Sequence, residues 1–210
     1  MSYLSWKEEK IADFSDENIS RMYNNGFVFT RIGRGVMNQT RSVRIDLSKF
    51  ELSSENRRIL KKVKEIEMKE VDIPYFGYSW EVGKTGKDFY ESREADFSAN
   101  KIKELITDPE SNFNSLLNYS DVGYAICYEN KEIIHYSYPF YDLEKSGKDM
   151  GLGMMIKAIV WAKEKRLKYI YLGSLQRPSD TYKLQFEGLE WFYGKGWRSD
   201  LEGAKEVLGR

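Results

Sequence analysis

Hydrophobic residues recur along this chain with two periods, and the order in which those periods follow one another predicts a mixed α/β fold. Residues 16–23 read as a short capped helix, and Gly26-Phe27-Val28-Phe29 as the start of a strand. A second strand is expected over 42–47. Ser53 or Ser54 then caps a helix from about 55 to 70, with Ile59, Val63 and Ile66 on its buried stripe. The stretch 77–86, rich in glycine and aromatic residues, reads as a connector between two modules, with the join near residue 86. Residues 101–106 and 111–117 have the spacing of short helices. Beyond residue 121 the pattern sharpens, because 123–128 and 133–138 flank Glu129-Asn130-Lys131 as two strands flank a hairpin turn. From Leu152 to Lys165 apolar residues cover nearly every face, as in a helix buried against a sheet. Residues 169–172 read as the strand beneath it, and another helix is expected over about 178–186.

Composition narrows the classes of function. Basic and acidic residues balance at 33 each, so there is no global field of the kind that marks a strongly basic nucleic-acid binder, and any such contact must be a local patch. Aromatic residues make up 15% of the chain, with 15 Tyr and 5 Trp, which suits pockets needing a flat apolar wall and a polar tip. The single cysteine, Cys127, lies in an apolar strand and reads as an inert core residue. With one histidine besides, His135, a metal would need carboxylate ligands, so no disulfide framework and no structural metal are expected. No apolar run approaches the roughly 18 residues that suggest a membrane span. The expectation is a soluble, cytoplasmic protein with neither membrane nor DNA as partner.

One apparent motif fails on spacing. Gly83-Lys84-Thr85 imitates the end of a phosphate-cradling loop, but the preceding Gly77 stands one residue too far away and no apolar strand leads into it.

The chemistry concentrates in the second half. Phe140-Tyr141-Asp142 ends a strand, Gly151-Leu152-Gly153 opens an apolar helix, and Tyr169-Ile170-Tyr171-Leu172-Gly173 and Tyr182-Lys183 follow. Glycines between a strand end and a helix start let backbone N–H groups approach a phosphate or a developing oxyanion. This is the strand, turn and helix order of the acyl-CoA N-acyltransferase (GNAT) half-sheet. That superfamily usually carries a basic residue or glutamine just ahead of the glycines; this chain has Lys148-Asp149-Met150, and an acid beside a pyrophosphate is unfavourable.

From about residue 123 to 192 the chain resembles the C-terminal half of arginyl-tRNA-protein transferases and their bacterial leucyl-transferring relatives, on Phe140-Tyr141-Asp142, Leu152-Gly153, Tyr171-Leu172-Gly173 and Tyr182-Lys183. Upstream, Gly26-Phe27, Arg41-Ser42-Val43-Arg44, Phe50, Ser53 and Arg57-Arg58 resemble the family's N-terminal pattern. The family's cysteine-rich motif is missing: Gly35-Val36-Met37-Asn38-Gln39-Thr40 stands in its place.

The resemblance implies a GNAT-like mixed sheet (residues 87–210) with a small N-terminal α+β module (1–86). It also implies transfer of arginine or leucine from aminoacyl-tRNA to the N-terminal amine of acceptor proteins that begin with Asp or Glu, with no cofactor beyond the tRNA co-substrate. Ester aminolysis is downhill, and an α-amine with a pKa of about 7.7–8.0 needs only modest base assistance. Asp142 is the expected acid, steering the acceptor ammonium or taking its proton, unless it caps the following turn. Tyr141 and Tyr171 are the other catalytic candidates. Gly151, Leu152, Gly153, Gly173, Tyr182 and Lys183 are the substrate-binding candidates, with Lys183 either on a phosphate or solvated. Arg57, Arg58, Lys61 and Lys62 on one helix are expected to hold tRNA phosphates, extended by Arg34 and Arg44. The alternatives are an acetyl-CoA-dependent N-acetyltransferase and a non-catalytic module binding N-termini or RNA.

Overall fold

The computed structural model describes residues 3–209. Its strands are β1 (Lys7–Lys10), β2 (Phe27–Phe29), β3 (Val36–Gln39), β4 (Ser42–Asp46), β5 (Met68–Asp72) and β6 (Ser115–Tyr119), then β7 (Gly123–Glu129), β8 (Ile133–Tyr141), β9 (Tyr169–Ser174), β10 (Leu189–Phe192) and β11 (Trp197–Arg198). The helices are α1 (Asp16–Asn24), α2 (Ser54–Lys62), α3 (Trp80–Glu91), α4 (Ala99–Thr107), α5 (Met150–Glu164) and α6 (Leu201–Glu206), with a 3₁₀ helix over Pro178–Gln185. No helix among the described residues is long and apolar enough to cross a membrane.

The chain divides into two compact units. One is drawn from Met1–Ser53, Asn130–His135 and Ala162–Arg210. In it β1, β3 and β2 form an antiparallel sheet in that order, and a second sheet runs β11-β10-β4-β9 onto the start of β8. β9 is antiparallel to β4, with Ile45 opposite Ile170, and parallel to β8, with His135 opposite Tyr171. A parallel pair requires a crossover, and α5 lies between these two strands in sequence. Helix α1 starts where Ser15 Oγ accepts the Asn18 N–H at 3.3 Å, and Asp16 and Glu17 complement its dipole. Tyr23, Met37, Val43, Ile45, Ile170 and Tyr171 are buried in this unit.

The other unit comprises Ser54–Glu129 and Tyr136–Trp161. Its strands run β8-β7-β6-β5, with Leu116 opposite Ile126 across β6 and β7. Helices α3 and α4 pack where α3 is thin: a Cβ on Gly83 would lie 3.4 Å from Ala99, and one on Gly86 would collide with Ile102. Ile102, Phe113, Leu116, Leu117, Ile126, Phe140 and Ile156 fill the core.

Several elements differ from the sequence expectation. The helix expected to 70 stops at Lys62, and Met68–Asp72 is instead strand β5, laid along β6 from Met68↔Tyr119 to Asp72↔Ser115. Of the segment 111–117, read as helical, residues 115–117 begin β6, because a strand partner on each side satisfies the backbone better than one isolated turn would. The supposed connector 77–86 is mostly α3, so the join expected near residue 86 falls inside a helix. Gly83 and Gly86 serve close helix packing.

Candidate functional site

In the second unit, the end of β8, the start of α5 and helix α2 come together. Gly151 and Gly153 lie within the first turn of α5 rather than in a turn ahead of it, and neither has a left-handed backbone. They are there for close approach. A Cβ on Gly151 would sit 3.1 Å from the Tyr141 ring, and one on Gly153 would sit 2.7 Å from a Val63 methyl, so α2 and its trailing residue rest directly on the α5 backbone. Leu152 between them is half-buried.

That packing brings the cations of α2 to the amino end of α5. Lys62 Nζ donates to Asp149 Oδ2 at 2.6 Å. The hydrogen bond from Lys62, helped by Arg58 and Lys148, holds the Asp149 carboxyl below the usual carboxylate range. The Asp149 carbonyl accepts the Gly153 N–H at 2.8 Å, so this residue opens the helix with its backbone while its side chain serves the α2 lysine. The acid that sequence reading counted against an anion is thereby neutralised. Arg58 pairs with Glu55, and Arg57 and Lys61, one helical turn apart, are exposed.

Tyr141 stands beside the same helix end. Its ring meets Phe89 edge-on at 4.7 Å, and its hydroxyl accepts from Arg93 Nη2 at 3.3 Å. Asp142 is a turn cap: Oδ1 accepts the Glu144 and Lys145 N–H groups at 2.9 and 3.0 Å, and Lys145 Nζ lies 3.2 Å from Oδ2. Those bonds, led by the Lys145 N–H, lower its pKa and make the carboxylate a weaker base.

The remaining candidates belong to the first unit, and Arg44, Tyr171 and Lys183 are buried. Arg44, expected on the phosphate-facing patch, is 7% exposed, because it sits between the rings of Tyr169 and Trp197 at 3.9 Å each and binds Glu190. Arg34 is exposed beside the Phe14 ring in the 31–35 turn region. Tyr171 is a core residue: it packs on Tyr23 at 4.9 Å, and burial raises its phenol to about 12. Lys183 is neither solvated nor free to meet a phosphate, since its ammonium donates to the Ser174 carbonyl at 2.7 Å and pairs with Asp180 at 3.2 Å. Gly173 has φ +76°, and a Cβ there would face Lys183 Nζ at 4.0 Å. Tyr182 is exposed. Asp180 Oδ2 also accepts the Gln176 and Arg177 N–H groups, so one carboxylate closes the whole 176–183 segment.

His135 is buried, with Nδ1 2.9 Å from the Tyr23 hydroxyl. Burial, and then the nearby Lys183 charge, lower its pKa to about 3. The unfolded chain takes up this proton near the ordinary value of about 6.5 and the folded chain does not, so stability is complete above that pH and is lost as pH falls toward 3. A His135→Gln variant is expected to lack that component. Unfolding free energies from urea titrations between pH 7 and 4.5 should fall more steeply for the parent, by at most about 1.4 kcal/mol per pH unit.

No family model matches this chain, and no curated protein does. Solved structures do resemble it. L-PGS from Bacillus licheniformis is 14% identical, covering 93% of this chain and 71% of that one, at a TM-score of 0.46. The C-terminal domain (DUF2156) assigned to a lysylphosphatidylglycerol synthetase of Agrobacterium fabrum is 12% identical over 93% of this chain and 69% of that one, at 0.48. A GCN5-related glucosamine N-acetyltransferase region of a fungal GH3 β-N-acetylglucosaminidase is 10% identical over 87% of this chain and 22% of that one, at 0.46. The chain has a mixed α/β fold, and an N-acetyltransferase region is among its structural neighbours. None of these three is an arginyl- or leucyl-tRNA-protein transferase. At such identities and TM-scores, no substrate or partner carries over from them.

Proposed function

We propose that this chain is an aminoacyltransferase that takes an activated amino acid from tRNA and passes it to an amine, with protein N-termini beginning in Asp or Glu as the acceptor class and arginine or leucine as the cargo. The observation that carries the reading is the cationic face of α2 set against the amino end of α5. Arg57 and Lys61 are exposed there, and Lys62 has neutralised the acid at the helix start. Phosphates of a tRNA acceptor end suit such a surface, because several cations on one rigid element neutralise neighbouring phosphates without reading sequence. The amino end of α5 adds oriented N–H groups. The donor ester is already activated, so positioning is the main requirement and no covalent nucleophile is needed. Cys127 is accordingly not used: burial raises its thiol pKa far above the ordinary value.

A second reading is acetyl-CoA-dependent N-acetyl transfer. It is favoured by the Lys62–Asp149 pair, which removes the unpaired carboxylate that would repel a pyrophosphate.

Both are tested together by incubating the protein with a charged tRNA pool, acetyl-CoA and peptides beginning with Asp, Glu or Ala, followed by mass spectrometry. A mass gain of one aminoacyl residue that RNase abolishes supports the first reading; acetylation replaces it with the second; an unmodified peptide rejects both. Charge reversal at Arg57 and Lys61 is expected to weaken tRNA binding. The slope of log affinity against log salt should fall in magnitude by about 0.7–0.9 for each phosphate that is no longer neutralised, and an unchanged slope would place the tRNA elsewhere.

A further inference from the structure

The first unit holds a cavity of about 450 Å³ at the carboxyl end of α5, and neither Arg57 nor Lys61 lines it. Asp46, Leu47 and Ser48 from the end of β4, Lys163, Arg166 and Leu167 from the end of α5, and Lys168 and Tyr169 leading into β9 form its walls. Three cations thus face one acid. Asp46 is already engaged, accepting from Ser48 N at 3.1 Å and Ser48 Oγ at 2.6 Å and pairing with Lys49 at 2.9 Å. Lys163 is held by the Phe50 carbonyl and by Glu51 at 2.8 Å. Arg166 and Lys168 make no ion pair among the described residues, and both are exposed.

Cations gather at helix carboxyl ends simply because the dipole favours them, and Lys163 is fully explained that way. Arg166 is not. It occupies the left-handed position that closes α5, at φ 62°, where the Leu167 N–H reaches the Ala162 carbonyl at 3.1 Å and its own N–H reaches the Lys163 carbonyl at 2.9 Å. Glycine is the usual residue in that geometry, because a Cβ is disfavoured there. An arginine thus stands in a conformation that suits glycine at the rim of a concave cationic cavity. The volume falls in the range of small-molecule sites, and a concave shape suits a compact ligand better than an extended strand.

We propose that this cavity binds a small phosphate-bearing molecule, with Arg166 and Lys168 holding its phosphate groups.

The test is calorimetric titration of the whole protein with inorganic tripolyphosphate at low ionic strength, repeated with Arg166→Gly, Lys168→Ser and, as a control, Lys103→Ala, an exposed lysine that lines neither this cavity nor the α2 face. Binding below about 1 mM is expected for the parent, weakened about tenfold or more in each cavity variant and unaltered in the control. Arg166→Gly should at the same time keep or raise the melting temperature, since glycine relieves the left-handed backbone. A purely structural arginine would show the same melting temperature with no change in affinity. That result overturns the proposal, as does an absence of binding by the parent, or loss of binding in the control alone.

Discussion

Truncating Arg44 to alanine is expected to destabilise the protein by about 3–5 kcal/mol, the range seen when one partner of a buried ion pair is removed. Its guanidinium is almost fully buried, with Nε and Nη2 both 2.8 Å from Glu190 Oε2 and Nη1 2.9 Å from Asn24 Oδ1. Two aromatic faces close over it, at 3.9 Å from Tyr169 and 3.9 Å from Trp197. Deleting the side chain opens a gap between those rings and leaves Glu190 with Lys49, 3.5 Å away, as its remaining cation. Lysine at this position should rescue little, because a point charge on a flexible stem replaces neither the two-nitrogen grip nor the stacking. An Arg44→Met/Glu190→Leu double variant should recover much of the loss, since an apolar pair of similar volume avoids the desolvation of two charges. Urea unfolding of the three variants checks this; a single variant as stable as the parent would show that the pair contributes nothing. The result also bears on function. Reduced transfer in an Arg44 variant would report impaired folding, so it could not by itself be read as weaker tRNA binding.

Gly26→Ala is the second change with a large effect, expected at about 2–5 kcal/mol from two additive causes. The residue follows α1 at φ +79°, in the left-handed region that costs a side chain roughly 1–2 kcal/mol. A Cβ there would also fall 2.3–2.6 Å from three atoms of the Phe192 ring, which is buried and held edge-on to Trp197 at 5.4 Å. The ring has nowhere to go, and overpacking of this kind costs about 1–3 kcal/mol more. Trimming the ring in a Gly26→Ala/Phe192→Leu background should return the steric part and leave the backbone part. If the double variant is no more stable than Gly26→Ala alone, the clash is not the cause. Melting temperatures of the two variants decide it.

Much of the architecture was legible from one dimension. The α1 cap at Ser15, the β7–β8 hairpin around Glu129-Asn130-Lys131 and the largely apolar α5 were each dictated by local pattern, because a cap, a two-strand turn and a helix apolar on nearly every face write their signal within a few residues. The basic face of α2 was legible for the same reason, since i and i+4 spacing on one helix is fixed whatever that helix packs against. What only the tertiary structure decided is which charges reach solvent and which elements a neighbour converts. Arg44, Arg57 and Lys183 look alike in sequence. Two are buried because Glu190, Asp180 and the Ser174 carbonyl, distant or unremarked along the chain, supply the partners that make burial affordable. The strands β5 and β6 escaped local reading because their hydrogen bonds are made to each other and to β7. Asp149 changed from an obstacle into part of a cationic site once Lys62, 87 residues earlier, was found 2.6 Å from it. Periodicity encodes the elements, whereas the pairing of charges depends on distances that the linear order does not contain.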